Sequence, residues 1–186
     1  MSDLAATLAA IDAANQADPD QTEGTPAARL YGERMTAELE QLFPGGSDEL
    51  RIAARGQHIE RWTSPRAAYP DGKEGYLAWR RDLAAFHARR VGEIMAKHRY
   101  GDARIATVGR MIRKEGLKRD TDVQALQDVI CFTFLRWYFK PFAAGRDADA
   151  LLKIVQKTAR KMSDSARARA LTEFALPDPF AAAFRD

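Results

Sequence analysis

Two histidines and one aspartate are the side chains through which this sequence could do chemistry: His58 in RGQHIERW, His87 in AAFHARR and Asp128 in ALQDVICFTFL. The chain has three histidines in all, and these two sit in segments crowded with arginine. Asp128 heads the most apolar stretch of the chain. A carboxylate held among apolar residues must be paired, hydrogen-bonded, protonated or metal-bound, because an isolated buried charge is too costly. Two imidazoles and a carboxylate are enough to begin a metal site or an acid–base site. His58, His87 and Asp128 are therefore both the candidate catalytic residues and the candidate ligands of a divalent metal.

Each has a plainer reading. A histidine flanked by cations has its charged form disfavoured. It is then neutral at pH 7, which suits metal ligation or general-base work. The alternative is an imidazole packed and hydrogen-bonded at a helix interface. For Asp128 the alternatives are a pair with an arginine or a cap on a neighbouring helix. His98, in AKHRYGD, reads as a partner for the dipole at a helix C-terminus.

Arginine supplies the second chemical signal. Residues 1–50 carry ten acids and two bases, whereas residues 51–120 carry seventeen bases and eight acids. Arginine is favoured where a planar, bidentate grip on phosphate or carboxylate is wanted. Arg51, Arg55, Arg61, Arg66, Arg80 and Arg90 are the candidates to hold an anionic small molecule, phosphorylated or nucleotide-like. Trp62 and Tyr69 join them as aromatic contacts, and Trp79 and Tyr76 offer stacking surface nearby. The alternatives are a solvated basic face, salt-bridged to the acidic N-terminal segment, and aromatic rings used for core packing. A nucleic-acid partner is the weakest reading, since no recognised motif accompanies the charge.

The elements that must position these groups read as helices. Valine and isoleucine are scarce, alanine and leucine abundant, and neither strand alternation nor an Asn-Gly hairpin signal occurs. The first helix spans about 3–16, and 17–25 reads as a linker. Thr25-Pro26 opens a second helix that stops at Pro44-Gly45-Gly46. Ser47 caps a third, expected to run to about Trp62 and to place Arg55 and Trp62 on one face with His58. Prolines and glycines make 63–75 a long loop near the site. A fourth helix, about 76–97, carries His87. Asp102 caps a fifth, and Thr121 a sixth that holds Asp128 and ends before Pro141. Helices near 147–161 and 164–174 follow, then a peripheral tail, 175–186. The expectation is an all-α, single compact domain, 1–186, of seven to eight helices.

Composition bounds the rest. A chain of 186 residues suits one domain with a sizeable core. The single cysteine, Cys131, excludes an internal disulfide and a cysteine-based zinc cage, and reads as a buried structural thiol. No basic n-region precedes the first apolar residues, and no apolar run approaches the roughly 20 residues of a membrane helix. A cytoplasmic location and no membrane partner are expected. P-loop, Rossmann, zinc-knuckle and nucleophile-elbow patterns are absent.

The blocks RxxQHIxRWxxPRxxYP, GYxxWRxxLxxFH and VQALQDVxCxxFL resemble the signatures of a family catalogued as domain of unknown function 4202, over about residues 4–175. More distantly, the order of elements is similar to the HD-domain metal-dependent phosphohydrolases, an all-helical fold. That resemblance implies a metal-dependent hydrolase of a phosphorylated small molecule or nucleotide. AARGQHIERW looks like the helix of the His-Asp doublet, with Gln57-His58 in its place. FHARRVGEIM resembles the helix with an extra histidine, and DVQALQDVICF the helix with the late aspartate, here Asp128. The early histidine would fall in RLYGERM, where Tyr31, Glu33 and Arg34 stand, and Glu33 is the nearest substitute ligand. The alternative is an anion- or nucleotide-binding module that has lost the metal site.

Overall fold

The computed structural model describes residues 2–185, and helices dominate it. Ten α-helices occur among the described residues, so the fold is all-α. Two of the ten are five-residue turns beyond the eight helices that the sequence outlines. The chain packs as two compact units that meet in sequence at Glu115 and Gly116.

The first unit begins with α1, Leu4–Asn15, capped by Asp3, whose carboxylate accepts from the Ala6 amide at 3.0 Å. Segment 17–25 is more ordered than a linker. Gln21–Thr22 and Thr25–Pro26 pair as a short antiparallel ladder, turned by Glu23 and Gly24. Both have positive φ, 53° and 75°, the backbone of the tightest hairpin turns. The buried Asp18 ties this ladder to α2, Ala27–Leu42, by accepting from the Ala28 amide at 2.8 Å. Pro26, rather than Thr25, occupies the N-cap.

Helix α3 is Asp48–Gly56, capped by Ser47 as the sequence indicates. It stops well short of Trp62. Two tertiary contacts explain the early end. A Cβ on Gly56 would lie 2.4 Å from Val91 Cγ2, so the missing side chain is where another helix presses in. Glu60 takes a left-handed conformation, φ 49°. Its amide, released from the helix, donates to Oδ1 of the buried Asn15 at 2.9 Å. A 3-10 turn, Arg61–Thr63, follows.

The loop after it folds on itself. Arg66 donates to the carbonyls of Tyr69 and Pro70 at 2.9 and 2.8 Å, and the Trp79 indole donates to the Ser64 carbonyl at 2.9 Å. Helix α4 starts at Gly72, earlier than its apolar pattern suggests, and runs to Lys97. Trp79, Leu83, His87, Val91 and Met95 form its buried stripe at steps of four. Helix α5, Asp102–Arg113, packs along α4. Its N-cap is Gly101.

The second unit opens with α6, Thr121–Thr133, capped by Asp120, which accepts from the amides of Asp122 and Val123. A π-helical turn, Phe134–Tyr138, continues into α7, Phe139–Ala143, so the helical path passes through Pro141. A proline collides with the carbonyl four residues before it in a regular helix. Here that residue is Trp137, inside the widened turn. Helices α8, Ala148–Lys161, and α9, Asp164–Glu173, come next. The tail carries α10, Asp178–Ala182, and buries Ala181 and Phe184. No described helix is long and apolar enough to cross a membrane.

Candidate functional site

The early end of α3 decides where His58 sits. It lies in the turn past Gly56, not on a helix face shared with Arg55 and Trp62. The turn lays its imidazole on the Tyr31 ring of α2, with centroids 3.8 Å apart and planes 16° from parallel. His87 projects from α4 with its ring centroid 6.1 Å from that of His58. The two histidines line one cavity of about 380 Å³ with Gln57, Arg61, Arg80 and Lys114.

Charge around the cavity is lopsided. Arg61 places Nη1 3.5 Å from His58 Nε2 and stands over the Trp79 ring, 4.8 Å from its centroid. Neither Arg61 nor Arg80 has a carboxylate partner among the described residues, whereas Arg81 bonds Asp82 at 3.2 Å and Arg113 bonds Glu115 at 2.7 Å. Burial holds the His58 imidazole well below its ordinary pKa, and the charges of Arg61 and Arg80 push the same way. Burial lowers His87 to about 4, with Arg61 and Arg80 adding to it and the Ile59 backbone opposing it. Both rings are neutral at pH 7. The Arg61 guanidinium is itself pushed down, by burial and then by Arg80.

Three polar atoms of residues in the cavity wall are buried without a well-formed hydrogen bond among the described residues: Nδ1 and Nε2 of His87, which the Ile59 backbone approaches outside bonding geometry, and Oε1 of Gln57. Buried polar atoms are nearly always satisfied.

Other residues singled out in the sequence are engaged elsewhere. Arg51 pairs with Glu40 at 2.9 Å. Arg55 clamps Asp12 with two contacts of 2.6 Å, joining α3 to α1. Arg90 clamps Glu60 at 2.8 and 3.1 Å and so holds the turn that carries His58. Arg66 shapes its own loop, and the Tyr69 hydroxyl donates to Asp82 at 3.2 Å. Trp62 is half-buried outside the cavity lining. Glu33 accepts from Arg29 at 3.0 Å. Lining residues that sequence reasoning left aside are Arg113 and Lys114, in the RKEG run at the end of α5. A basic pair at a helix C-terminus reads as a dipole partner, so nothing local marks it as a cavity wall.

Asp128 belongs to the second unit, where it is 2 % exposed. Its carboxylate accepts from the Ser163 amide at 2.9 Å, the Ser163 hydroxyl at 2.6 Å and the Gln124 side chain at 2.9 Å. Ser163 is the N-cap of α9 and accepts in turn from the Ala166 amide. Asp128 thus fixes a helix cap, one of the plain readings of a buried carboxylate. Among the described residues, no three His, Cys, Asp or Glu side chains gather to hold a metal ion.

Fold and site together define an all-α protein with a cation-lined cavity around two neutral histidines. The chain belongs to the family described as Domain of unknown function (DUF4202), whose model matches residues 5–183. Searches of curated proteins and of solved structures found no match.

Proposed function

We propose that the first unit binds the phosphate group of a small phosphorylated molecule in the His58–His87 cavity. The observation that carries this reading is the pair Arg61 and Arg80. Both line the cavity and neither is neutralised by a carboxylate among the described residues. Arginine forks suit phosphate oxygens. His87 and Gln57 add buried polar atoms whose hydrogen bonds the protein leaves unmade. Because His58 and His87 are uncharged, discrimination for the anion falls on the two arginines.

Metal-dependent hydrolysis is the reading implied by the likeness to HD-domain enzymes, which rests on the order of helices. A divalent cation held by His58 and His87 would need a facing carboxylate to offset Arg61, Arg80 and Lys114. The carboxylate among the described lining residues, Glu115, is tied to Arg113, and Asp128, in the second unit, spends its oxygens on the α9 cap. The donor set does not fit such an ion.

Calorimetric titration of inorganic phosphate into chelator-treated protein tests the proposal. Binding is expected, weakening as salt rises. Arg61→Ala and Arg80→Ala should each lower affinity about tenfold or more, the worth of a charge-assisted hydrogen bond. Arg51→Ala, which removes an arginine paired with Glu40 outside the cavity lining, should leave phosphate affinity near wild type. No heat of binding at millimolar phosphate would sink the reading. Phosphate release from a nucleotide panel with added Mg²⁺ or Mn²⁺ would favour the hydrolase instead.

A further inference from the structure

Tyr76 is an exposed aromatic on α4 one turn before the cavity-lining Arg80, and the binding of phosphate does not account for it. It leaves 46 % of its surface in solvent, and its neighbour Leu77 leaves 54 %. Tyr76 stands on α4 four residues before Arg80, so the two share a helix face one turn apart. The rise of a helix separates them by about 6 Å along the axis, a span comparable to a ribose. The Tyr76 ring is steadied on one side by Trp79, at 5.9 Å between centroids and 51° between planes. Trp79 carries the Arg61 guanidinium, and Tyr76 is near enough to Arg61 to act on its charge. A rigid, half-open aromatic ring therefore lies one turn from the cations assigned to phosphate.

From this juxtaposition we infer that the ligand is a nucleoside monophosphate, with its phosphate between Arg61 and Arg80 and its base stacked on Tyr76. The inference rests on the phosphate-binding reading above and adds the ligand class and a residue that sets specificity. Stacking on an aromatic side chain is tolerant of base identity, since every base offers a π-face. A ligand ending at the sugar would leave Tyr76 in water.

The test is a titration series with inorganic phosphate, ribose 5-phosphate and AMP on the full chain. AMP should bind about tenfold or more tighter than ribose 5-phosphate, in line with stacking of one base. Tyr76→Ala should bring AMP down to the affinity of ribose 5-phosphate and leave inorganic phosphate unchanged. Tyr76→Phe should keep the AMP advantage. Equal affinity for AMP and ribose 5-phosphate in the wild type overturns the inference while leaving phosphate binding standing. So does a Tyr76→Ala loss that is equal for phosphate and AMP. Failure of all three ligands to bind overturns both the inference and the reading beneath it.

Discussion

The imidazole of His58 lies flat on the ring of Tyr31, 3.8 Å from centroid to centroid. This stack sets the orientation of a histidine that no longer has a helix to hold it. Tyr31 comes from α2, and His58 from the turn after α3. Aromatic pairs of this kind contribute roughly 0.5–1.5 kcal/mol beyond buried area. A double-mutant cycle of Tyr31→Leu and His58→Leu, read by urea unfolding, should give a coupling of about 1 kcal/mol. Zero coupling would mean that the stack holds nothing in place.

His87 makes stability depend on pH in a defined direction. Its folded pKa is about 4, below the ordinary 6.5, so the unfolded chain binds more protons between those values. Stability is then intact above about pH 6.5 and falls as the pH drops toward 4, and protonation of His58 acts in the same direction. The loss from His87 alone is on the order of 3 kcal/mol. Unfolding midpoints measured from pH 7.5 to 4.5 should fall, and fall less steeply in His87→Gln. Parallel slopes for the two proteins would contradict this.

Asp128 is expected to matter for folding of the second unit and not for phosphate binding. Replacing it by alanine leaves the Ser163 amide and hydroxyl short of an acceptor in a part-buried place. That should cost about 1–3 kcal/mol. Ser163→Ala removes the α9 cap and should cost about 1 kcal/mol. Chemical denaturation measures both. Phosphate affinity of folded Asp128→Ala equal to wild type supports the structural role, and a selective loss of affinity would return Asp128 to the site.

Gly56 marks where α4 presses on the end of α3. The Cβ of Gly56→Ala would fall 2.4 Å from Val91 Cγ2, and Val91 is fully buried. Overpacking of this order costs typically about 1–3 kcal/mol. Because the turn beyond Gly56 carries His58, phosphate affinity should drop as well. Val91→Ala in the same chain should restore part of both, since it vacates the space the new methyl needs.

Much of the helical layout is legible locally. Helix starts depend on a few adjacent residues, so Ser47 is identified as a cap from its own neighbourhood. Elsewhere the cap falls one residue from the expected place, at Pro26, Gly101 and Asp120. The ends of α3 and α6 are a different matter. Glu60 turns away because Asn15, forty-five positions earlier, accepts its amide. The path through Pro141 depends on a π turn that apolar periodicity does not announce.

The site divides in the same way. By itself the sequence determined that the fold is helical, that two histidines stand among arginines, and that one carboxylate lies in an apolar helix. Residue type and periodicity suffice for those statements. Only tertiary structure decided which arginines remain uncompensated. Arg55 is neutralised by Asp12 and Arg90 by Glu60, across separations of 43 and 30 residues, while Arg61 and Arg80 are left facing the cavity. It likewise set His58 beside His87 and gave Asp128 to Ser163. The physical reason is that helix formation is governed by near neighbours. The pairing of a charge is governed by whichever opposite charge or hydrogen-bond donor the packed helices bring within about 4 Å.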